Sequence, residues 1–177
     1  PQGLLPPIDV VNPASVERSP YRVALLDVVA QFATSPERRQ ILRGWLGYRA
    51  ALHGMGLTVG FQWLDGSFLE QVEVLENRAP KDLDVVTFLS PPAGFAPSAQ
   101  QMAVLNNQAA KQAFRVDSYF VDLNLPVDEL VQRSTYWYSM WSHRRDQAWK
   151  GYLEVDLNPS HDQQATDYLN QQDALGS

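Results

Sequence analysis

Along this chain the spacing of apolar residues changes at defined points, and each change marks an element. Ile41, Leu42, Trp45, Leu46 and Leu52, with Arg49 among them, recur at steps of three and four, the signature of one helical face. Ile41, Trp45 and Leu52 are expected to face a core, while Arg38, Arg39 and Arg43 stay in water. Ser35-Pro36-Glu37 supplies the start of this helix: an N-cap hydroxyl, a proline at the first helical position and an acid favourable to the dipole. Gly54 and Gly56 end it.

The pattern then shortens. Leu57 to Leu64, Asp82 to Leu89, Phe114 to Leu123 and Tyr152 to Leu157 are short runs rich in β-branched and aromatic residues and read as strands. In the third, Asp117, Tyr119 and Val121 share one face, and Val116, Ser118, Phe120 and Asp122 the other. Glu70 to Ala79 carries Glu70, Glu73, Glu76 and Arg78, too polar for a core strand, and begins on this reading with a turn of helix. Ser98 caps a helix running through Met102, Leu105, Ala109 and Ala113. Pro126 to Trp141 is a second helix with Val127, Leu130, Val131, Trp137, Met140 and Trp141 as its apolar content. Tyr21 to Ala33 is apolar without a period that separates helix from strand.

The two ends differ from the middle. Residues 1–20 hold Pro1, Pro6, Pro7, Pro13 and Pro20, which favour an extended arm lying across the surface. From residue 158 to 177 the chain is rich in Gln and Asp, a polar helix capped by Ser160 or a frayed end. The expected organisation is therefore an arm over 1–20, one domain over 21–157 and a polar tail.

Composition narrows the function classes. The 177 residues, 45% of them hydrophobic, suit one domain with a sizeable core. With 14 Lys and Arg against 20 Asp and Glu, the net charge of −6 argues against long nucleic acid as a partner and confines any polyanion site to a local patch. The chain has no cysteine, which excludes disulfides, thiol nucleophiles and thiolate metal sites. No apolar run approaches the roughly 20 residues of a membrane span, and the first residues lack signal-peptide character, so the expectation is a cytoplasmic protein with no membrane partner.

The candidate chemistry lies in two neighbouring strands. Trp63-Leu64-Asp65-Gly66-Ser67-Phe68 ends one strand in a glycine-serine turn, and Lys81-Asp82-Leu83-Asp84 opens the next. Gly66 lets a polyphosphate approach the backbone, and Ser67 offers a hydroxyl and an N–H. A helix following the turn would add its N-terminal donors. An ordinary turn has the same sequence, so the dipeptide means something only in company. Asp82 and Asp84, two residues apart on a strand, project from one face about 6 to 7 Å from each other, close enough to converge on one metal cluster. Asp117 adds a carboxylate from a third strand, with Asp122 the alternative if the register slips by one residue. Glu154 and Asp156 repeat the acid-x-acid pattern without a preceding turn and read as an exposed face. Arg144, Arg145 and Lys150 can neutralise phosphates, or form a solvated basic turn. Among the aromatics, Tyr136 or Trp141 can border a base-stacking pocket or simply belong to the core.

This pattern resembles the nucleotidyltransferase-fold superfamily, the group containing DNA polymerase β: Gly-Ser, a spacer, Asp-x-Asp, then a third acid. The spacer from Phe68 to Lys81 is slightly longer than is typical. More narrowly, Leu5-Pro6-Pro7, Ser35-Pro36-Glu37-Arg38-Arg39, Trp63 to Phe68 and Lys150-Gly151 look like an uncharacterised bacterial family of that fold, DUF6932. The resemblance implies an α+β domain, a mixed β-sheet flanked by helices. It implies that Gly66 and Ser67 hold nucleotide phosphates, that Asp82 and Asp84 bind Mg²⁺ or Mn²⁺, and that Asp117 is the third acid, both metal ligand and aid to the attacking hydroxyl. The expected activity is transfer of a nucleoside monophosphate from an NTP to a hydroxyl of a small molecule, RNA end or protein. The alternative is a non-catalytic nucleotide-binding or antitoxin/defence-type subunit, working with a protein partner, that retains the fold.

Overall fold

A computed structural model describes residues 3–175. Strands β1 (Tyr21–Arg22), β2 (Gly60–Asp65), β3 (Leu83–Leu89), β4 (Val116–Asp122) and β5 (Leu153–Asp156) form one mixed sheet in the order β1-β5-β2-β3-β4. The pairs β2–β3 and β2–β5 are antiparallel, while β3–β4 and β1–β5 are parallel. Helices α1 (Leu25–Phe32), α2 (Pro36–Gly54), α3 (Val72–Leu75), α4 (Ala99–Leu105), α5 (Asn107–Phe114), α6 (Val127–Trp141) and α7 (Asp162–Leu175) complete an α+β domain.

Strand alternation gives the sheet two different faces. Gln62, Leu64, Val85, Thr87, Val116 and Ser118 point toward α2, where Trp45, Tyr48, Ile41 and Leu52 are fully buried. Arg49 is buried there as well. Its guanidinium donates to Gln62 Oε1 at 3.1 Å and the Asp156 carbonyl at 3.0 Å, and pairs with both Asp162 oxygens at 2.8 and 2.9 Å. An unpartnered charge at that depth would be prohibitive; these bonds make it a pin joining α2, β5 and α7. On the opposite face, Trp63 packs on Phe61, Phe88 and Tyr152, and α6 lays Trp137 and Trp141 across Tyr119 and Tyr152.

Several sequence expectations are corrected. Tyr21 to Ala33 resolves into a two-residue strand followed by a helix. Strand β2 starts at Gly60 rather than Leu57. Arg38 is buried, not wet: it donates to the Phe68 carbonyl at 2.6 Å and the Glu70 carbonyl at 2.7 Å, and forks onto Glu73. The helix expected from Ser98 is two helices, because Asn106 leaves the helical conformation and its side chain caps the second by accepting from Ala109 N. Val127 and Val131 are exposed, so α6 meets the domain mainly through Trp137 and Trp141. The tail is ordered as α7, burying Ala165 and Leu169; the 3-10 turn before it is capped by Asn158, not Ser160.

Over the described residues the N-terminal segment folds back through an antiparallel Ile8–Arg18 bridge and is hydrogen-bonded to the domain. The Gly3 carbonyl accepts from Gln71 N and the Leu5 carbonyl from Gly151 N. Pro1 lies outside the described residues.

Candidate functional site

The β2 strand runs antiparallel to β3, and β3 parallel to β4, so register alone sets Asp65 opposite Asp84 and Asp84 opposite Asp117. Three carboxylates thus form a row across three adjacent strands. Asp82 precedes β3 on the same side. Gly66 turns the chain over this row with φ of 84°, in the region that favours glycine. A Cβ at that position would overlap Asp84 Oδ2, which fixes why the turn needs glycine. Ser67 begins a three-residue 3-10 turn, with Phe68 buried beneath it. The expected helix N-terminus is therefore reduced to a single tight turn, and α3 follows only at Val72. Arg38, by binding the carbonyls of Phe68 and Glu70, holds that turn in place.

Most of the sequence-derived candidates line one cavity of about 620 Å³: Gly66, Ser67, Asp82, Asp84, Asp117, Arg144, Arg145 and Lys150. Asp122 does not; it is exposed at the far end of β4, where it accepts from Asn124 N at 2.8 Å. Trp137, Met140, Trp141 and Tyr119 form the apolar wall of the cavity, whereas Tyr136 is exposed outside it. A larger, more apolar cavity of about 750 Å³, lined by Leu4, Leu5, Phe32 and Val74, contains none of these candidates.

The cations are not equivalent. Lys150 is buried, with Nζ 2.8 Å from Asp65 Oδ1 and 3.1 Å from Glu70 Oε1. Arg144 lies 2.7 Å from Glu76 Oε1 and 3.4 Å from Glu70 Oε2. The solvated-turn reading is wrong for Lys150, since its ammonium is buried between the Asp65 and Glu70 carboxylates. Arg145 is exposed and makes no ion pair among the described residues.

Sequence reasoning missed Lys111, Asn107, Asp65 and Glu70. Lys111 Nζ stands 2.8 Å from Asp82 Oδ2 and 2.7 Å from Asp117 Oδ2, and Asn107 donates to Asp117 Oδ1 at 2.5 Å. The signal was the four-residue spacing of Asn107 and Lys111, which sets both on one side of α5 facing the start of β4. Gly44 brings α5 this close: a Cβ there would overlap the Phe114 carbonyl.

Electrostatics separates the acids. Burial, reinforced by the negative charges of Asp82 and Asp117, pushes the Asp84 carboxyl up to about 6. Burial also raises Asp117, but the hydrogen bonds from Lys111 and Asn107 outweigh it and leave the carboxyl below its ordinary range. Burial pushes Asp65 upward against the pull of Lys150. Lys150 itself is raised, because Asp65 and Glu70 outweigh its desolvation, so it stays charged. Lys111 is raised by its hydrogen bonds to Asp117 and Asp82. Asp84 has no hydrogen bond or ion pair among the described residues. No group of three His, Asp or Glu side chains among those residues is arranged to hold a metal ion. No helix among them is long and apolar enough to cross a membrane.

Residues 1–156 match the family of unknown function DUF6932, and the chain belongs to that family. Comparison with curated proteins and with solved structures found no match.

Proposed function

We propose that this protein is a metal-dependent nucleotidyltransferase with a nucleotidyltransferase-like sheet, moving an NMP group from an NTP to a hydroxyl acceptor. The observation that carries this reading is the register of Asp84 with Asp117 under the Gly66 turn, inside one cavity that also holds Ser67 and Arg145. A strand ending in Gly-Ser, an antiparallel neighbour bearing Asp-x-Asp and a parallel third strand bearing an acid are the parts such an enzyme needs.

The donor set suits Mg²⁺ or Mn²⁺, since Asp82, Asp84 and Asp117 offer only hard carboxylate oxygens and Asp84 lacks a protein partner. Bound there, a divalent ion would polarise the phosphates and lower the barrier to in-line displacement. The lining holds six carboxylates against five Lys and Arg side chains, so the protein does not attract a polyphosphate by charge excess. A nucleotide arriving with its cation fits this balance.

The chain's own groups then have distinct tasks. Gly66 admits the phosphates to the backbone, and Ser67 donates its hydroxyl and N–H to their oxygens. Arg145 is the cation free to form charge-assisted bonds with them. The acceptor oxygen forms a bond to the α-phosphorus as the bond to the bridging oxygen breaks; pyrophosphate leaves, and the hydroxyl proton passes to a carboxylate of the cluster, with Asp117 in that role. Trp137 and Trp141 offer an apolar wall beside the base. The acceptor class is a small molecule, an RNA end or a protein, and the setting is the bacterial cytoplasm.

A second reading, a non-catalytic nucleotide-binding subunit of antitoxin or defence type, draws on the Lys111 ammonium standing between Asp82 and Asp117. The two separate on incubation with Mg²⁺ or Mn²⁺ and each labelled NTP, beside Asp82→Asn and Asp84→Asn. Label transfer lost in both variants supports the enzyme. Nucleotide binding without transfer supports the subunit, and transfer untouched by both substitutions overturns the site.

A further inference from the structure

Lys111 belongs to the last turns of α5, and its side chain remains 45% exposed although its ammonium is held by two carboxylates. Two other strongly held cations of the cavity differ. Lys150 is enclosed, and Arg144 is only 20% exposed. The Lys111 stem can therefore withdraw into solvent without emptying a packed volume, whereas Lys150 cannot.

Its position is specific. The ammonium bridges Asp82 Oδ2 and Asp117 Oδ2, and Asn107 occupies the remaining oxygen of Asp117. Asp84, in register with Asp117, is left without a partner. One monovalent group thus stands between two of the residues assigned as metal ligands, Asp82 and Asp117, with the third, Asp84, beside them. A lysine ammonium is a compact point charge on a flexible stem, able to fill a cation site and to leave it.

We propose that Lys111 is an exchangeable internal cation: it neutralises the acidic cluster of the metal-free protein and gives way when a divalent ion binds Asp82, Asp84 and Asp117. This inference rests on the metal-dependent reading above. It has two consequences. The cluster is kept from repelling itself while no metal is present, and the apparent metal affinity is lowered by the fraction of time that Lys111 occupies the site. Once displaced, the ammonium stays at the rim of the same cavity, where phosphate oxygens are its next partners.

The test is Mn²⁺ binding to the full chain by titration calorimetry and by the loss of the free-ion electron-spin signal. The proteins compared are the wild type, Lys111→Met, which keeps the stem and removes the charge, and Lys111→Arg. Melting curves in chelator and in excess Mn²⁺ check the fold. The expected result is Mn²⁺ binding at least about tenfold tighter in Lys111→Met than in wild type. Its melting temperature should fall below wild type in chelator and be raised by Mn²⁺ more than the wild type's is, while Lys111→Arg stays close to wild type. Equal or weaker binding by Lys111→Met overturns the exchange and leaves the metal-dependent reading intact. Absence of Mn²⁺ binding in all three proteins, with and without NTP, overturns both.

Discussion

Gly66 and Asp84 occupy one another's space: the Asp84 carboxylate lies where a side chain on Gly66 would have to begin. The turn and the carboxylate are thus a single device, set by the pairing of Asp65 with Asp84 one residue earlier. Gly66→Ala would need both a strained positive φ and displacement of Asp84. We expect it to cost roughly 1 to 3 kcal/mol of stability and to abolish NTP-dependent transfer while the protein remains folded. Chemical denaturation beside a transfer assay checks this. Full activity in Gly66→Ala would show that the close approach has no role.

Asp84 is expected to trade stability for function. Its folded carboxyl holds a proton to about pH 6, against 3.8 for an ordinary one, so its contribution favours the fold in acid and is lost as pH rises through about 6. A difference of that size corresponds to roughly 3 kcal/mol. Metal-free Asp84→Asn should therefore be more stable than wild type at pH 8, by up to that amount, with little difference at pH 4. Transfer activity should fall by at least about 100-fold. Melts in chelator across this pH range measure the first effect; an Asn variant that is less stable at pH 8 would contradict the burial argument.

The parts of the site that the sequence made legible are those governed by strand alternation. The facing of Asp82 and Asp84 follows from a two-residue period, the choice of Asp117 from the family resemblance, and the Gly66 turn from local backbone chemistry; the parallel register that sets Asp117 beside Asp84 is seen only in the fold. What escaped were long cationic side chains whose burial depends on partners far along the chain. Arg38 is buried because two carbonyls and a carboxylate some thirty residues later need donors, and Lys150 because Asp65 and Glu70 lie beneath it. Arg49 was placed in a helical face without its Asp162 partner. Period alone cannot tell such residues from Arg43, whose guanidinium reaches Asp173 at the surface. The break at Asn106 was missed for a different reason: an apolar helical spacing ran through it, and the capping side chain won locally.

Asp117 and Asp122 stand at opposite ends of the same strand, and their substitutions should separate cleanly. Asp117→Asn removes the negative charge that pairs with Lys111, at 2.7 Å, and should reduce transfer by at least about 100-fold. Asp122→Asn touches an exposed turn bond to Asn124 and should change activity less than about twofold and stability by under about 0.5 kcal/mol. Steady-state transfer rates with melting curves decide between them. Loss of activity in Asp122→Asn with retention in Asp117→Asn would move the working face of β4.

Lys150 and Arg145 are both basic and both face the cavity, yet they should fail in opposite ways. Lys150→Met would leave Asp65 and Glu70 buried without their shared cation, at a cost of about 3 to 5 kcal/mol. Adding Asp65→Asn and Glu70→Gln to that variant should recover much of the loss, because the uncompensated charge is removed with its partner. Arg145→Ala breaks no ion pair among the described residues and should shift stability by under about 0.5 kcal/mol, while weakening NTP binding about five- to tenfold through the lost charge-assisted contact. Denaturation midpoints and nucleotide titrations on the same preparations separate the two. If Arg145→Ala binds NTP as well as wild type while the rescued Lys150 triple variant binds none, the phosphate-facing cation is Lys150, and its pair with Asp65 must open for nucleotide.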